Sequence, residues 1–73
     1  MQDWQQIVGS NVRRIRQARG LTQEELAFDA KIDLTYLGGI ERGRRNPSLL
    51  VMARIADALS VRLYELIRSR KKN

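Results

Sequence analysis

Residues 22–43, TQEELAFDAKIDLTYLGGIERG, decide the fold of this chain. Thr22 and Glu25 have the spacing of a capping box, in which each side chain accepts a backbone N–H at the start of a helix. Asp33 is a candidate N-cap for a second helix that runs to about Arg42, where Gly43 ends it. A connection of only about three residues between two short helices predicts a helix-turn-helix over about 22–42.

The rest of the chain predicts further helices and no strand. Helix 1 runs from about Asp3 to Arg19, and Gly20 is placed to end it in a left-handed conformation. Ser48 is predicted to cap helix 4, and Ser60 to cap helix 5. Helical spacing of apolar residues predicts the core. Its members are Ile7, Val8, Val12, Ile15, Ala18, Leu26, Ala27, Ala30, Leu37, Ile40, Leu49, Met52, Ile55, Ala56, Leu59, Leu63, Leu66 and Ile67.

Composition limits the functions that the chain can have. Its 73 residues, 42% of them hydrophobic, fit a single domain over 1–73 with a basic tail at 69–73. Cysteine and histidine are absent, so no thiolate or imidazole can bind zinc or act as a nucleophile or base near neutral pH. The apolar run at 49–53 is too short to cross a bilayer. The net charge of +6 favours nucleic acid, an anionic membrane or acidic proteins as partners. Because mutual packing of the helices uses their apolar stripes, we expect no membrane contact, and we also expect no catalytic residue, metal, cofactor or small-molecule ligand.

The second helix of the pair, which would enter the DNA major groove, has a distinctive outward face. At about 100° per residue, Leu37 and Ile40 point to the core. The opposite side holds Thr35, Gly38, Gly39 and Arg42. Each glycine costs a helix roughly 1 kcal/mol relative to alanine. The pair indicates either close approach of another surface to the backbone or a weak helix that ends early.

Several stretches resemble the phage Cro/CI and Xre family of bacterial and phage transcriptional regulators. They are residues 20–27, 36–37, 39–49 and 55–59, and the likeness covers about residues 7–67. Within the family the chain is similar to stand-alone regulators, among them restriction-modification controller proteins. The resemblance implies an all-α, five-helix, lambda-repressor-like domain. It also implies a cytoplasmic homodimer that binds double-stranded DNA and is not an enzyme.

The resemblance further implies the roles of individual residues. The base-facing positions are Leu34, Thr35, Gly38 and Gly39. The phosphate-contacting positions are Thr22, Gln23, Tyr36, Arg42, Arg44, Arg45 and Asn46. Arg16 and Glu41 would form a structural ion pair. Pure capping by Thr22, flank packing by Tyr36 and a solvated charge run over 42–46 remain as alternatives.

Three departures from the family pattern leave the outward face with few hydrogen-bonding side chains. Lys31 occupies a turn position that is usually glycine, which is strained if the backbone there has positive φ. Leu34 stands where relatives often carry a polar or basic residue, and Gly38 replaces a common serine or threonine. Phosphate contacts and DNA shape would then contribute more than direct base readout.

A second surface is a candidate for self-association. Leu50 and Val51 lie off the apolar stripe of helix 4, and they could form a dimer surface with Val61 and Tyr64, or be ordinary exposed residues. The sequence thus predicts a sequence-specific, homodimeric regulator of the repressor or controller type. The alternative is a protein-binding adaptor or antitoxin component with the same helical fold.

Overall fold

The computed structural model describes residues 2–69, which form five helices and, over that range, no strand. The helices are α1 (Trp4–Ala18), α2 (Gln23–Ala30), α3 (Leu34–Glu41), α4 (Leu49–Leu59) and α5 (Tyr64–Ile67). The predicted all-α, five-helix fold is confirmed. Of the predicted basic tail, residues 70–73 lie outside the described residues. None of the helices in the described range has the length and apolar character needed to span a bilayer.

Side-chain caps fix where the first four helices begin. Asp3, Asp33 and Ser48 each accept the backbone N–H of the residue three positions on. At the start of α2, the N–H of Glu25 donates to the Thr22 hydroxyl at 3.0 Å and the N–H of Thr22 donates to the Glu25 carboxylate at 2.9 Å. The predicted capping box is therefore present.

Left-handed residues end the first four helices. Gly20 and Gly43 have φ of +72° and +75°, as expected for glycine after a helix. Lys31, at φ 59° and ψ 46°, also adopts this conformation, in the turn between α2 and α3. The prediction that Ser60 caps helix 5 is wrong. At φ 58° it closes α4, and α5 begins after Leu63, which makes no capping side-chain hydrogen bond.

The core lies where α1 packs on α3 and α5 while α2 packs on α3 and α4. Its largest fully buried side chains are Val12, Leu26, Leu37, Ile40, Ile55, Leu59 and Leu66. The predicted inward direction of Leu37 and Ile40 is confirmed. The structure corrects three predicted core positions, Ala18, Leu49 and Ile67, which are exposed. All three are the first or last residue of their helix, where neighbouring helices cover less of the surface.

Candidate DNA interface

A buried ion pair anchors α3 to α1. Arg16 Nε lies 2.7 Å from Glu41 Oε2 and Arg16 Nη2 lies 2.9 Å from Oε1, while Arg16 Nη1 donates to the Leu21 carbonyl at 2.8 Å. The two side chains are only 11% and 2% exposed. The hydrogen bonds to Glu41 raise the pKa of Arg16 above its ordinary value, against the opposing effect of burial. Arg16 therefore stays charged throughout the neutral range, and its bonds to Glu41 set the orientation of the outward face of α3.

Gln23 extends this pair to α2. Its side-chain Nε2 donates to Glu41 Oε1 at 2.9 Å. The side chain that the sequence assigned to phosphate thus bonds to protein in the free chain. The backbone N–H groups of Gln23 and Glu24 have no acceptor in the described chain, because Thr22 and Glu25 satisfy only each other's ends of the turn. The start of α2 keeps two unpaired donors of the kind that bind anions.

The first turn of α3 is the exposed end of the predicted recognition helix. Leu34 is 41% exposed, Thr35 is exposed and Tyr36 is half-buried against the core. The Asp33 carboxylate accepts the N–H of Tyr36 at 3.1 Å and so fixes this turn. An apolar side chain and a threonine hydroxyl are therefore the groups that the first turn of α3 exposes.

The two glycines of α3 lie beneath arginine side chains. A Cβ built on Gly38 would lie 3.1 Å from Arg42 Nη1, and one built on Gly39 would lie 2.7 Å from Arg45 Cγ. Both glycines are buried, and the groups that approach their backbone in the free chain are the chain's own arginine side chains. The alternative of a helix that ends early is also wrong, since α3 continues through both to Glu41.

The basic loop, residues 42–46, follows α3 and is held close to α1. A Cβ on Gly43 would overlap the Gln6 side chain, and Pro47, just beyond the loop, is buried. Arg42, Arg44, Arg45 and Asn46 are exposed. Arg45 also lies over Tyr36, with its Cζ atom 5.7 Å from the ring centroid.

Only part of the candidate dimer surface is exposed. Leu50 is 74% exposed and Tyr64 is also exposed, whereas Val51 and Val61 are half-buried and pack on the core. Further exposed apolar side chains on or beside α4 and α5 are Trp4, Leu49 and Ile67. Trp4 and Ile67 line one shallow groove with Met52. Helical periodicity predicts Leu49 and Ile67 as core residues. The prediction is wrong because periodicity carries no information about where a neighbouring helix ends.

Sequence reasoning missed two side-chain contacts at this site. The first is the hydrogen bond from Gln23 to Glu41, and the second is the packing of the Arg45 side chain on Gly39 and over the Tyr36 ring. The adjacent glycines were the only local signal of the second contact, because a helix tolerates them where another group needs their space.

The sequence matches the family HTH_3, described as helix-turn-helix, over residues 12–66. The chain belongs to the helix-turn-helix regulators of the Cro/CI and Xre type. It is 43% identical over 65 residues to the HTH-type transcriptional regulator y4dJ of Sinorhizobium fredii, covering 89% of this chain and 84% of that protein. It is 40% identical over 60 residues to the immunity repressor protein of Bacillus phage phi105, covering 82% of this chain and 42% of the repressor.

A solved structure agrees with this family. The restriction-modification controller protein C.AhdI from Aeromonas hydrophila matches with a TM-score of 0.83 and 44% identity, covering 85% of this chain and 94% of that one. The lambda-repressor-like helix-turn-helix fold is therefore confirmed, and this chain is a DNA-binding transcriptional regulator.

Proposed function

We propose that this helix-turn-helix regulator binds specific double-stranded DNA sites as a homodimer and acts without catalysis, as a repressor or controller. A regulator of bacterial or phage DNA would do so in the cytoplasm. One observation carries the proposal: α3 exposes its first turn, and two sets of unpaired donors lie on the elements that precede and follow this helix. These are the backbone N–H groups at the start of α2 and the side chains of the basic loop.

Phosphate binding is assigned to those two flanks. At the start of α2, the backbone N–H of Gln23 faces outward, and the second hydrogen of its side-chain amide can donate to phosphate while the first stays on Glu41. Arg42, Arg44 and Asn46 are exposed and make no ion pair or side-chain hydrogen bond within residues 2–69. The Tyr36 hydroxyl is a further donor. Such contacts set register on the duplex, and Leu34 and Thr35 then meet base edges.

Homodimerisation is assigned to the apolar surface of α4 and α5. Leu49 and Leu50 project from the start of α4, and Tyr64 and Ile67 from α5. A small domain seldom exposes this many large apolar side chains on adjoining helices unless another surface covers them. A second copy is the simplest occupant, because two-fold symmetry would place two α3 helices about 34 Å apart for half-sites one helical turn apart.

Salt dependence tests the phosphate contacts. Replacing Arg42 and Arg44 together by alanine should weaken binding to every duplex and reduce the slope of log K against log salt by about 1 for each lost contact. Arg62→Ala is the matched control, because Arg62 is an exposed arginine in the turn between α4 and α5. Fluorescence anisotropy at several salt concentrations gives the slopes. An unchanged slope in the double variant would remove the phosphate assignment.

Sedimentation equilibrium tests the dimer. Leu50→Ser should weaken self-association at least about tenfold, because each copy loses an apolar contact worth roughly 1.5–3 kcal/mol when fully buried. Phe28→Ser is the matched control, since Phe28 is 84% exposed but lies on α2. A wild-type chain that remains monomeric both free and on DNA would reject the homodimer. Equal effects of the two variants would reject this surface.

A protein-binding adaptor or antitoxin component is the second candidate, and one observation favours it. Phe28 is the most exposed large apolar side chain among residues 2–69, and acidic residues of α2 surround it. An apolar side chain ringed by Glu24, Glu25 and Asp29 fits a basic protein surface better than DNA. A gel-shift titration separates the candidates, because an adaptor would bind neither random nor genomic duplexes even at low salt.

A further inference from the structure

We propose that Arg45 reads a guanine in the DNA major groove, from a position on α3 that Gly39 and Tyr36 create. The inference rests on the proposed sequence-specific DNA binding. Arg45, which the family resemblance assigned to a phosphate, is assigned to a base instead.

The packing of Arg45 begins at Gly39. A Cβ on residue 39 would lie 2.7 Å from Arg45 Cγ, 3.4 Å from Nε and 3.6 Å from Cδ. Any side chain at this position would therefore occupy the space of the arginine stem. Because α3 has no side chain at position 39, the stem of Arg45 from the basic loop lies in the space that such a side chain would occupy.

The far end of Arg45 reaches the first turn of α3. Its Cζ atom lies 5.7 Å from the ring centroid of Tyr36, within cation–π range. The side chain thus runs from the loop after α3 over Gly39 to the ring of Tyr36, a residue of the first turn. In a helix-turn-helix, the N-terminal residues of the second helix are those that contact base edges. The guanidinium therefore lies against a side chain that comes from that end of α3.

Arg45 supplies what α3 lacks. The helix, LTYLGGIE, contains no lysine or arginine, and arginine bonded to guanine O6 and N7 is the commonest specific base contact. Contact with the Tyr36 ring uses none of the guanidinium N–H groups as a donor to a protein oxygen. Within residues 2–69, those N–H groups have no hydrogen-bond acceptor. An arginine already held in place loses less conformational entropy when it binds, which suits readout of a single base.

The neighbouring residue provides the contrast. Arg44 carries the same charge in the same exposed loop, but it lies over neither a described aromatic ring nor a glycine. Arg44 suits a phosphate, which asks only for charge, and Arg45 suits a base, which asks for a fixed fork of donors.

Matched alanine variants give the first test. A preferred duplex is selected from a random pool with the wild-type chain, and Kd is measured on it and on random duplex at one salt concentration. Arg45→Ala should lower the ratio of specific to random affinity about 5- to 100-fold, the loss expected for one bidentate base contact. Arg44→Ala should weaken binding to both duplexes and leave the ratio unchanged. An unchanged ratio in Arg45→Ala would overturn the proposal.

An atomic substitution in the DNA locates the contact. Each guanine of the selected site is replaced in turn by 7-deazaguanine, which lacks the N7 acceptor. At one guanine in each half-site, the wild-type and Arg44→Ala chains should lose affinity while Arg45→Ala loses none. If Arg45→Ala keeps full sensitivity at every guanine, Arg45 does not read one.

Gly39→Ala tests the packing position without removing charge. It should reduce the specificity ratio as Arg45→Ala does, yet leave the salt slope unaltered and the helical circular dichroism intact. A wild-type ratio in this variant would show that Gly39 does not position Arg45. If the selection enriches no sequence at all, sequence-specific binding fails together with this proposal. An enriched sequence that Arg45→Ala discriminates normally rejects the Arg45 assignment alone.

Discussion

Arg16 and Arg45 both pack against α3, and their surroundings are opposite. Arg16 is buried, and its N–H groups donate to Glu41 and to the Leu21 carbonyl. Arg45 is exposed, its guanidinium lies over the Tyr36 ring and its aliphatic stem packs on Gly39. An arginine whose donors are satisfied within the protein stabilises the fold. An arginine that packs on a ring and a glycine, without hydrogen bonds, keeps its donors available to a ligand.

Arg16 and Arg45 contact opposite ends of the same short helix, α3. Glu41 is the last residue of α3 and Tyr36 lies in its first turn, so the buried junction fixes the helix on which Arg45 rests. Gln23 joins α2 to the same carboxylate. A phosphate bound at the start of α2 therefore lies one side chain away from the residue that orients α3.

The most direct way to break this comparison is to remove Glu41. Glu41→Ala leaves Arg16 buried without its partner, and the free energy of unfolding should fall by about 3–5 kcal/mol. Urea titration measures the loss. Glu65→Ala is the control, because its pair with Arg68 at 3.4 Å is solvent-exposed and should contribute less than about 1 kcal/mol. Similar losses in both variants would show that burial does not distinguish the two ion pairs.

A buried asparagine, which carries no charge, should contribute less to the free energy of unfolding than the buried ion pair. Asn11 Nδ2 donates to the carbonyls of Leu66 at 3.0 Å and Arg68 at 2.9 Å, which ties the end of α5 to α1. Asn11→Ala should lower the unfolding free energy by about 1–3 kcal/mol, because two carbonyls lose a donor. Asn46→Ala, on the exposed basic loop, should change it by less than about 0.5 kcal/mol. An equally stable Asn11→Ala would mean that water replaces the side chain.

A substitution in the turn between α2 and α3 should increase the stability of the chain. Lys31 holds a left-handed conformation that costs an L-residue roughly 1–2 kcal/mol. Lys31→Gly relieves this cost, and after the added backbone entropy of glycine it should stabilise the chain by up to about 1 kcal/mol. Thermal unfolding checks this. Lys31→Ala keeps the Cβ atom and should give no gain, so a gain in both variants would point to charge rather than backbone strain.

Arg45 should show the smallest effect on folding. Arg45→Ala should leave the unfolding free energy within about 0.5 kcal/mol of wild type, because the side chain is exposed and forms no hydrogen bond in the described chain. The same urea titration measures it beside Glu41→Ala. A loss above about 1 kcal/mol would place Arg45 with Arg16 among the residues that stabilise the fold.

The sequence by itself determined the helices and their order. Thr22, Asp33 and Ser48 act on N–H groups three residues away, so their capping is visible in the local sequence. Periodicity likewise identified Leu37 and Ile40 as buried, because a helix fixes the angle between its own residues. Ser60 was assigned to the wrong helix, since a serine between two helical patterns fits either one until the backbone conformation is known.

The tertiary structure alone decided what covers each face. Leu49 and Ile67 fit the apolar stripes of their helices, but the neighbouring helices do not reach them. Gly39 reads as an open position, yet a residue beyond the end of its helix folds back over it. Contacts of this kind join side chains through space, between elements whose packing no local pattern encodes. For the same reason, the family resemblance implied residues for a DNA interface, while only the fold separated the arginine whose donors are satisfied by Glu41 from the one that packs on the surface of α3 with its donors available.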